Sequence, residues 1–432
     1  MALKTCDARP SRVIPTICSS LLGAIIPAGC ALPQRSSAAS PPGSEIRLPY
    51  LDARSSVAEY YGPGRDDPPP AEVPEVRIGW FGPADPSHPT AGLMWLAATM
   101  AVDEANQAGG YRGVPFRLLS AWSENPWDTG IAGVVRLVYE DGVWAVAGAP
   151  DGPAAHLVAQ VVAKARLPFL SSVSTDTTTN LANVPWVFSC APSDAVQAPV
   201  VAQALASCCR EKSFALVSGT DHDSRVLSTE LLAALARLRM LPSTHLELVP
   251  GAASLENHIR ILQSARPTAI ALVATPTESA QFVVALRNNG LDMPVIGGPA
   301  LSRRAFADGT GCWAEGVVFP LLWDSSSNAG GNAFASRFRD RYGREADYTA
   351  AYTYDALQFL IAGIREAGLN RARIRDAVRE LSPQVGVTGA IAWDPSGRNR
   401  KAVDLGTIQE GHVRATERAQ GGNSLPSGLL GE

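Results

Sequence analysis

The chain has 432 residues, 46% of them hydrophobic and 18% charged, with a formal net charge of −4. No run of Lys or Arg accompanies that balance, which argues against nucleic acid as a partner. The seven cysteines form no Cys-x-x-Cys pair, and no histidine stands beside the later four (Cys190, Cys208, Cys209 and Cys312), so neither a metal site nor a cofactor is expected.

Residues 1–29 read as a signal peptide. Lys4, Arg9 and Arg12 precede a weakly apolar run, Val13 to Ala28, that ends in small residues. Pro15, Ser19, Ser20 and Pro27 interrupt the run, which is shorter than the ~20 apolar residues of a membrane-spanning helix. Its end, Ile26-Pro27-Ala28-Gly29-Cys30, resembles a bacterial lipobox, with Pro27 where an aliphatic residue is usual. That likeness implies lipid attachment at Cys30 and membrane contact through the lipid anchor only; the alternative is an ordinary signal cut nearby. Residues 30–74, rich in Pro, Ser, Gly and Ala, are expected to be a tether. Tyr60-Tyr61 within it is apolar enough to rest on the body.

From Glu75 the pattern alternates short apolar runs with amphipathic ones. Strands are predicted at 76–81, 116–120, 143–147 and 168–171, separated by helices at 91–108, 131–140 and 154–165. A second set follows: strands at 187–189, 214–218, 246–249, 269–273, 295–297 and 316–319, with helices at 199–209, 224–238, 254–264 and 277–288. Three late helices, 332–342, 349–368 and 371–381, precede 389–393 and 402–409, which read as a β-hairpin. Strands joined by helical crossovers give parallel sheets covered on both faces, and some 350 residues suit two lobes. In such sheets ligands lie beyond the carboxyl ends of the strands, which directs attention to the loops there.

In order along the chain, Ala101-Val102-Asp103-Glu104-Ala105-Asn106-Gln107-Ala108-Gly109-Gly110, Asp141-Gly142-Val143, Leu167-Pro168-Phe169-Leu170-Ser171-Ser172 and Tyr354-Asp355-Ala356 are followed by Gly386-Val387-Thr388-Gly389 and Trp393-Asp394-Pro395-Ser396-Gly397-Arg398. This series resembles the leucine/isoleucine/valine-binding protein family of ABC transporter substrate-binding proteins. The resemblance implies an α/β, type I periplasmic binding protein fold: two doubly wound parallel-sheet lobes joined by three crossovers. Lobe 1 is expected at 75–190 plus 323–384, lobe 2 at 191–322 plus 385–413, and a flexible tail at 414–432. It also implies an exported, monomeric protein, in the periplasm or cell envelope, that closes on a small solute and delivers it to an ABC permease without chemistry. A ligand sensor of the same fold without a transporter, and an envelope enzyme on this scaffold, are the alternatives.

The family pattern places Thr175 as hydroxyl and N–H donor to a ligand carboxylate, Val173 as a carbonyl acceptor, and Gly152 where a serine usually stands. A helix beginning near Ser174 and Thr175 would add its dipole; capping of that helix is the plainer role. Asp223 and Thr275 fall where aromatic residues often close over the ligand, and Pro299 where an acid faces the ligand ammonium. Because proline cannot neutralise a charge, either Asp223 or Asp151 compensates, or the ligand is not a standard α-amino acid. The resemblance therefore leaves the solute open among amino-acid-like, amide and carboxylate compounds. His88 and Thr90, in or beside the loop after the first strand, and Trp122, after the next strand, complete the expected site; Trp80 and Trp127 are expected to be packing residues.

Overall fold

The computed structural model describes residues 60–209, 213–249 and 252–416. The expected signal peptide, the lipid attachment at Cys30, the tether up to residue 59 and the tail beyond residue 416 lie outside the described residues.

Five parallel strands form the sheet of lobe 1: β1 (Val76–Phe81), β2 (Phe116–Ala121), β3 (Ala145–Gly148), β4 (Phe169–Ser171) and β5 (Val187–Ser189), ordered β2-β1-β3-β4-β5. Its strands are near-continuous apolar runs because both faces are covered. Ile78 and Trp80 pack with α1 (Gly92–Gln107) and α10 (Tyr348–Ala367) on one face. Phe81 and Val146 pack with α2 (Ile131–Tyr139) and α3 (Gly152–Ala165) on the other.

Lobe 2 repeats this arrangement. Its strands β6 (Phe214–Gly219), β7 (Thr244–Leu248), β8 (Ala269–Val273), β9 (Val295–Gly297) and β10 (Val318–Leu321) run parallel in the order β7-β6-β8-β9-β10. One face carries α4 (Asp194–Cys208) and α5 (His222–Arg237), the other α7 (Pro276–Asn288) and α8 (Arg304–Thr310). Each sheet therefore has a point where consecutive connections leave in opposite directions, between β1 and β3 in lobe 1 and between β6 and β8 in lobe 2. A crevice opens there beyond the strand ends.

The predicted hairpin is not formed. β12 (Gly389–Ile391) pairs with β11 (Gln384–Gly386), whereas β13 (Asp404–Gln409) lies antiparallel to β10 and to β14 (His412–Ala415). Both segments alternate well enough to be strands, but each pairs with another strand. The expected division of the lobes shifts with them: Val387, Ile391, Trp393 and Val403 are buried in the core of lobe 1. Ser189 N–H donates to the Gly397 carbonyl at 2.9 Å, and Asn399 N–H to the Ser189 carbonyl at 3.0 Å, which adds this stretch to the edge of β5. Lobe 2 thus regains the chain only at β13. Arg414 and Ala415, expected in the tail, belong to β14.

The chain from Tyr60 onward is docked rather than free. Tyr60 is buried, with its ring 4.9 Å from that of Trp186. Asn370 caps α11 (Arg371–Glu380) through its oxygen while its Nδ2 donates to the carbonyls of Gly64, Arg65 and Asp67 at 2.8–3.1 Å. The expected tether boundary at residue 74 therefore falls too late, because Asn370 and Trp186 hold residues the composition marks as spacer. Among the other expectations, Trp80 is fully buried but Trp127 is 50% exposed, so it is not a core residue. Cys190 and Cys209 are buried thiols, while Cys208 and Cys312 are exposed ones.

Candidate functional site

The loops beyond the strand ends of both sheets enclose a cavity of about 280 Å³. His88 and Thr90 come from the segment after β1, Trp122 from the end of β2, Asp151 from the turn after β3, and Val173, Ser174 and Thr175 from the turn after β4. Lobe 2 contributes Asp223 at the start of α5, Thr275 after β8 and Pro299 after β9. Gly152 is the exception among the expected residues: it stands behind the cavity wall, not in it.

The reason is a contact across the cleft. Gly152 N–H donates to the Asp223 carboxylate, at 2.9 Å to Oδ1 and 3.2 Å to Oδ2. A side chain at position 152 would place Cβ 2.4 Å from Asp223 Oδ1 and 2.7 Å from Asp176 Oδ2. The Gly152 N–H is thus used by the opposite lobe, and glycine is what lets the lobes meet. Further bonds close the cleft. His222 Nε2 lies 2.7 Å from Asp176 Oδ2, Thr177 Oγ1 donates to Glu230 Oε1 at 3.1 Å, Arg303 donates to the Thr90 carbonyl, and Arg304 N–H donates to Asp347 Oδ2 at 3.1 Å. The lobes are in their closed arrangement.

The turn after β4 departs from expectation. No helix starts at Ser174 or Thr175; residues 172–186 hold neither helix nor strand, with a turn at 177–182. Asp176 Oδ1 accepts both the N–H and the hydroxyl of Thr178 at 2.7 Å, which fixes a local turn in place of a helix. The helix-dipole cradle therefore does not form at Thr175. Its carbonyl instead accepts from Asp194 N–H, at 2.7 Å, at the first residue of α4.

Asp194 is the principal residue that sequence reasoning missed. It is 1% exposed and lines the cavity, and neither carboxylate oxygen has a partner of good hydrogen-bond geometry. Burial pushes its carboxyl well above the ordinary value, the nearby Thr175 side chain pulling the other way. Burial, reinforced by Asp151, also pushes the Asp223 carboxyl up to about 7. Asp221 caps α5, accepting from Ser224 N–H at 3.0 Å, yet its Oδ2 is buried without a partner. Glu124 accepts from Trp122 Nε1 at 2.7 Å and lies 3.5 Å from His88 Nε2. Five carboxylates (Glu124, Asp151, Asp194, Asp221 and Asp223) thus face two basic side chains, Arg303 and His88, and Arg303 Nε is itself buried without a partner. An acid at the first turn of a helix, immediately after β5, was the available signal for Asp194. Pro299 opens a short 3-10 turn, Pro299–Ser302, and contributes shape, not charge.

A family model described as periplasmic binding protein matches residues 75–412. The chain belongs to the periplasmic binding protein family. No curated protein matches it. It is similar in structure to the branched-chain amino acid transporter substrate-binding protein LivJ from Streptococcus pneumoniae, solved in complex with isoleucine, at 20% identity and a TM-score of 0.72, over 79% of this chain and 98% of that one. The leucine-binding protein LivK from Thermotoga maritima aligns at 19% identity and a TM-score of 0.70, over 79% and 98%. A solute-binding protein of an ABC transporter from Rhodopseudomonas palustris, in complex with benzoate, aligns at 15% identity and a TM-score of 0.70, over 79% and 95%. At these identities the likeness establishes the fold, the type I two-lobed architecture of periplasmic binding proteins.

Proposed function

We propose that the protein is an extracytoplasmic receptor that closes its lobes on a small ammonium- or guanidinium-bearing solute and hands it to an ABC permease, without transforming it. Its attachment through Cys30 belongs to the same reading. The observation that carries the ligand class is the excess of acidic side chains around the cavity, with Asp194 buried and only the Thr175 side chain beside its carboxyl group. A buried acid without a partner is costly, and a cationic group placed against it recovers that cost. Asp194 and Asp223 stand in for the acid that Pro299 cannot supply, so an α-amino head group is again compatible, with Arg303 available to a carboxylate. Closure is favoured only by contacts the solute makes with both lobes, and the cavity is lined from both. The neighbours were solved with isoleucine and with benzoate, so this fold accepts amino acids and aromatic carboxylates alike.

A thermal-shift screen of amines, guanidines, amino acids and carboxylates tests the reading, because a ligand of the folded state raises the midpoint. The expected result is stabilisation by cationic or amino-bearing compounds, lost in Asp194→Asn. Stabilisation by simple carboxylates alone, or consumption of the compound by purified protein, would overturn it.

A further inference from the structure

Outside the cavity, three side chains converge from distant parts of the chain: His156 on α3, Asp176 in the turn after β4, and His222 at the first position of α5. Both histidine Nε2 atoms approach one carboxylate oxygen, Asp176 Oδ2, at 2.9 Å from His156, whose Nε2 also lies 3.0 Å from Thr178 Oγ1, and at 2.7 Å from His222. The rings stand nearly perpendicular, 86° apart, with centroids separated by 5.6 Å. We propose that these three residues form a binding site for a divalent transition ion of the Zn²⁺ class, which clamps lobe 1 to lobe 2.

Five points support the assignment. One ligand atom from each residue lies within 4.8 Å of the others. The Asp176 side chain has no exposed surface, and its other oxygen is held by Thr178, so the carboxylate is oriented before any ion arrives. Two imidazoles and one carboxylate make an N₂O set that suits Zn²⁺, and disfavours Ca²⁺ or Mg²⁺, which require more oxygen ligands. A tetrahedral ion about 2.1 Å from each ligand sets them about 3.4 Å apart, so the two contacts need open by only roughly 0.5–0.7 Å. The His222 side chain is 41% exposed, which leaves an entry path and a position for water.

The arrangement also states what the ion would do. His156 and Asp176 belong to lobe 1 and His222 to lobe 2, so the complete ligand set exists only when the cleft is shut. An ion that binds one state and not the other draws the population toward it. The cavity's solute is not part of this site, and the site stands or falls without it.

The test uses the full chain with exposed thiols alkylated, stripped of metal by a chelator and titrated with Zn²⁺ or Co²⁺ in the absence of any solute. One ion per chain is expected, with micromolar or tighter affinity, a tetrahedral Co²⁺ absorption band, and no comparable binding of Ca²⁺ or Mg²⁺. Zn²⁺ should reduce the radius of gyration measured by X-ray scattering. His222→Gln and His156→Gln should each weaken binding by tenfold or more, and His222→Gln should abolish the compaction. Equal Zn²⁺ affinity in the parent and in folded His222→Gln protein, or no binding to the parent at 100-fold molar excess, would overturn the proposal. With chelator added to the solute screen, failure there leaves this result standing, and the converse holds.

Discussion

Asp223 is asked to do two things that differ in their dependence on pH. In the closed, empty molecule it accepts the Gly152 N–H across the cleft, and its carboxyl is pushed up to about 7 by burial and by Asp151. With the cleft open it would be nearer the ordinary value of 3.8. The closed form therefore binds the proton more tightly, so closure of the empty protein is favoured as pH falls from 8 toward 5 and loses that support as pH rises through about 7. A cationic solute reverses the sign by selecting the ionised acid. In so far as the empty protein rests closed, its affinity is expected to rise from pH 5 to about pH 7 and to level off above, by up to about tenfold per pH unit for one linked proton, and calorimetry in buffers of different ionisation enthalpy should record proton release. Asp223→Asn should flatten this dependence while keeping an oxygen for the Gly152 N–H. At this scale the sequence was least legible. Thr175, Asp151 and Asp223 stand at strand ends, and their place in the cavity follows from that. Asp194 lies 19 residues beyond Thr175 and reaches the same cavity only because the chain crosses between lobes there.

Among the elements, the fragments that made the family recognisable turn out to hold the chain together. Asp355, in the middle of α10, accepts from Val387 N–H at 2.8 Å and from Thr388 N–H and hydroxyl at 2.9 and 2.6 Å. Gly386 leaves the room for this, since a Cβ there would lie 2.4 Å from the carboxyl group. The Tyr354-Asp355 and Gly386-Val387-Thr388-Gly389 motifs are thus two halves of one junction that pins the late segment to lobe 1. Asp355→Ala leaves three donors without their acceptor and is expected to cost about 3 kcal/mol in denaturant unfolding, with solute affinity changed little in the protein that remains folded. The strands and most helices were readable because burial on both faces writes long apolar runs. The hairpin was misread because strand character says nothing about which neighbour a strand will find.

For the whole molecule, the repeated strand order of the two lobes brings two crevices face to face. Two lobes could be inferred from alternating elements and length. The family resemblance implied a third crossing, but its place near β13 rather than at residue 385 could not be read, because the core contacts of residues 387–403 are long-range. Nor could closure, which rests on contacts between residues 71 positions apart, such as Gly152 and Asp223. Gly152→Ala is expected to wedge the cleft: the scattering radius of gyration should increase and solute affinity fall by about tenfold or more, while each lobe keeps its own core and the unfolding midpoint moves little.

The docking of residues 60–67 has a mechanical meaning. Tyr60 is set against Trp186, and Asn370 grips the backbone at Gly64, Arg65 and Asp67, all within lobe 1. A pull on the chain ahead of Tyr60 is therefore borne by one lobe and never enters the hinge. Were the chain held at a surface through its amino-terminal side, lobe 1 would be the fixed jaw and lobe 2 the swinging one, and tension there would do no work against the capture of a solute.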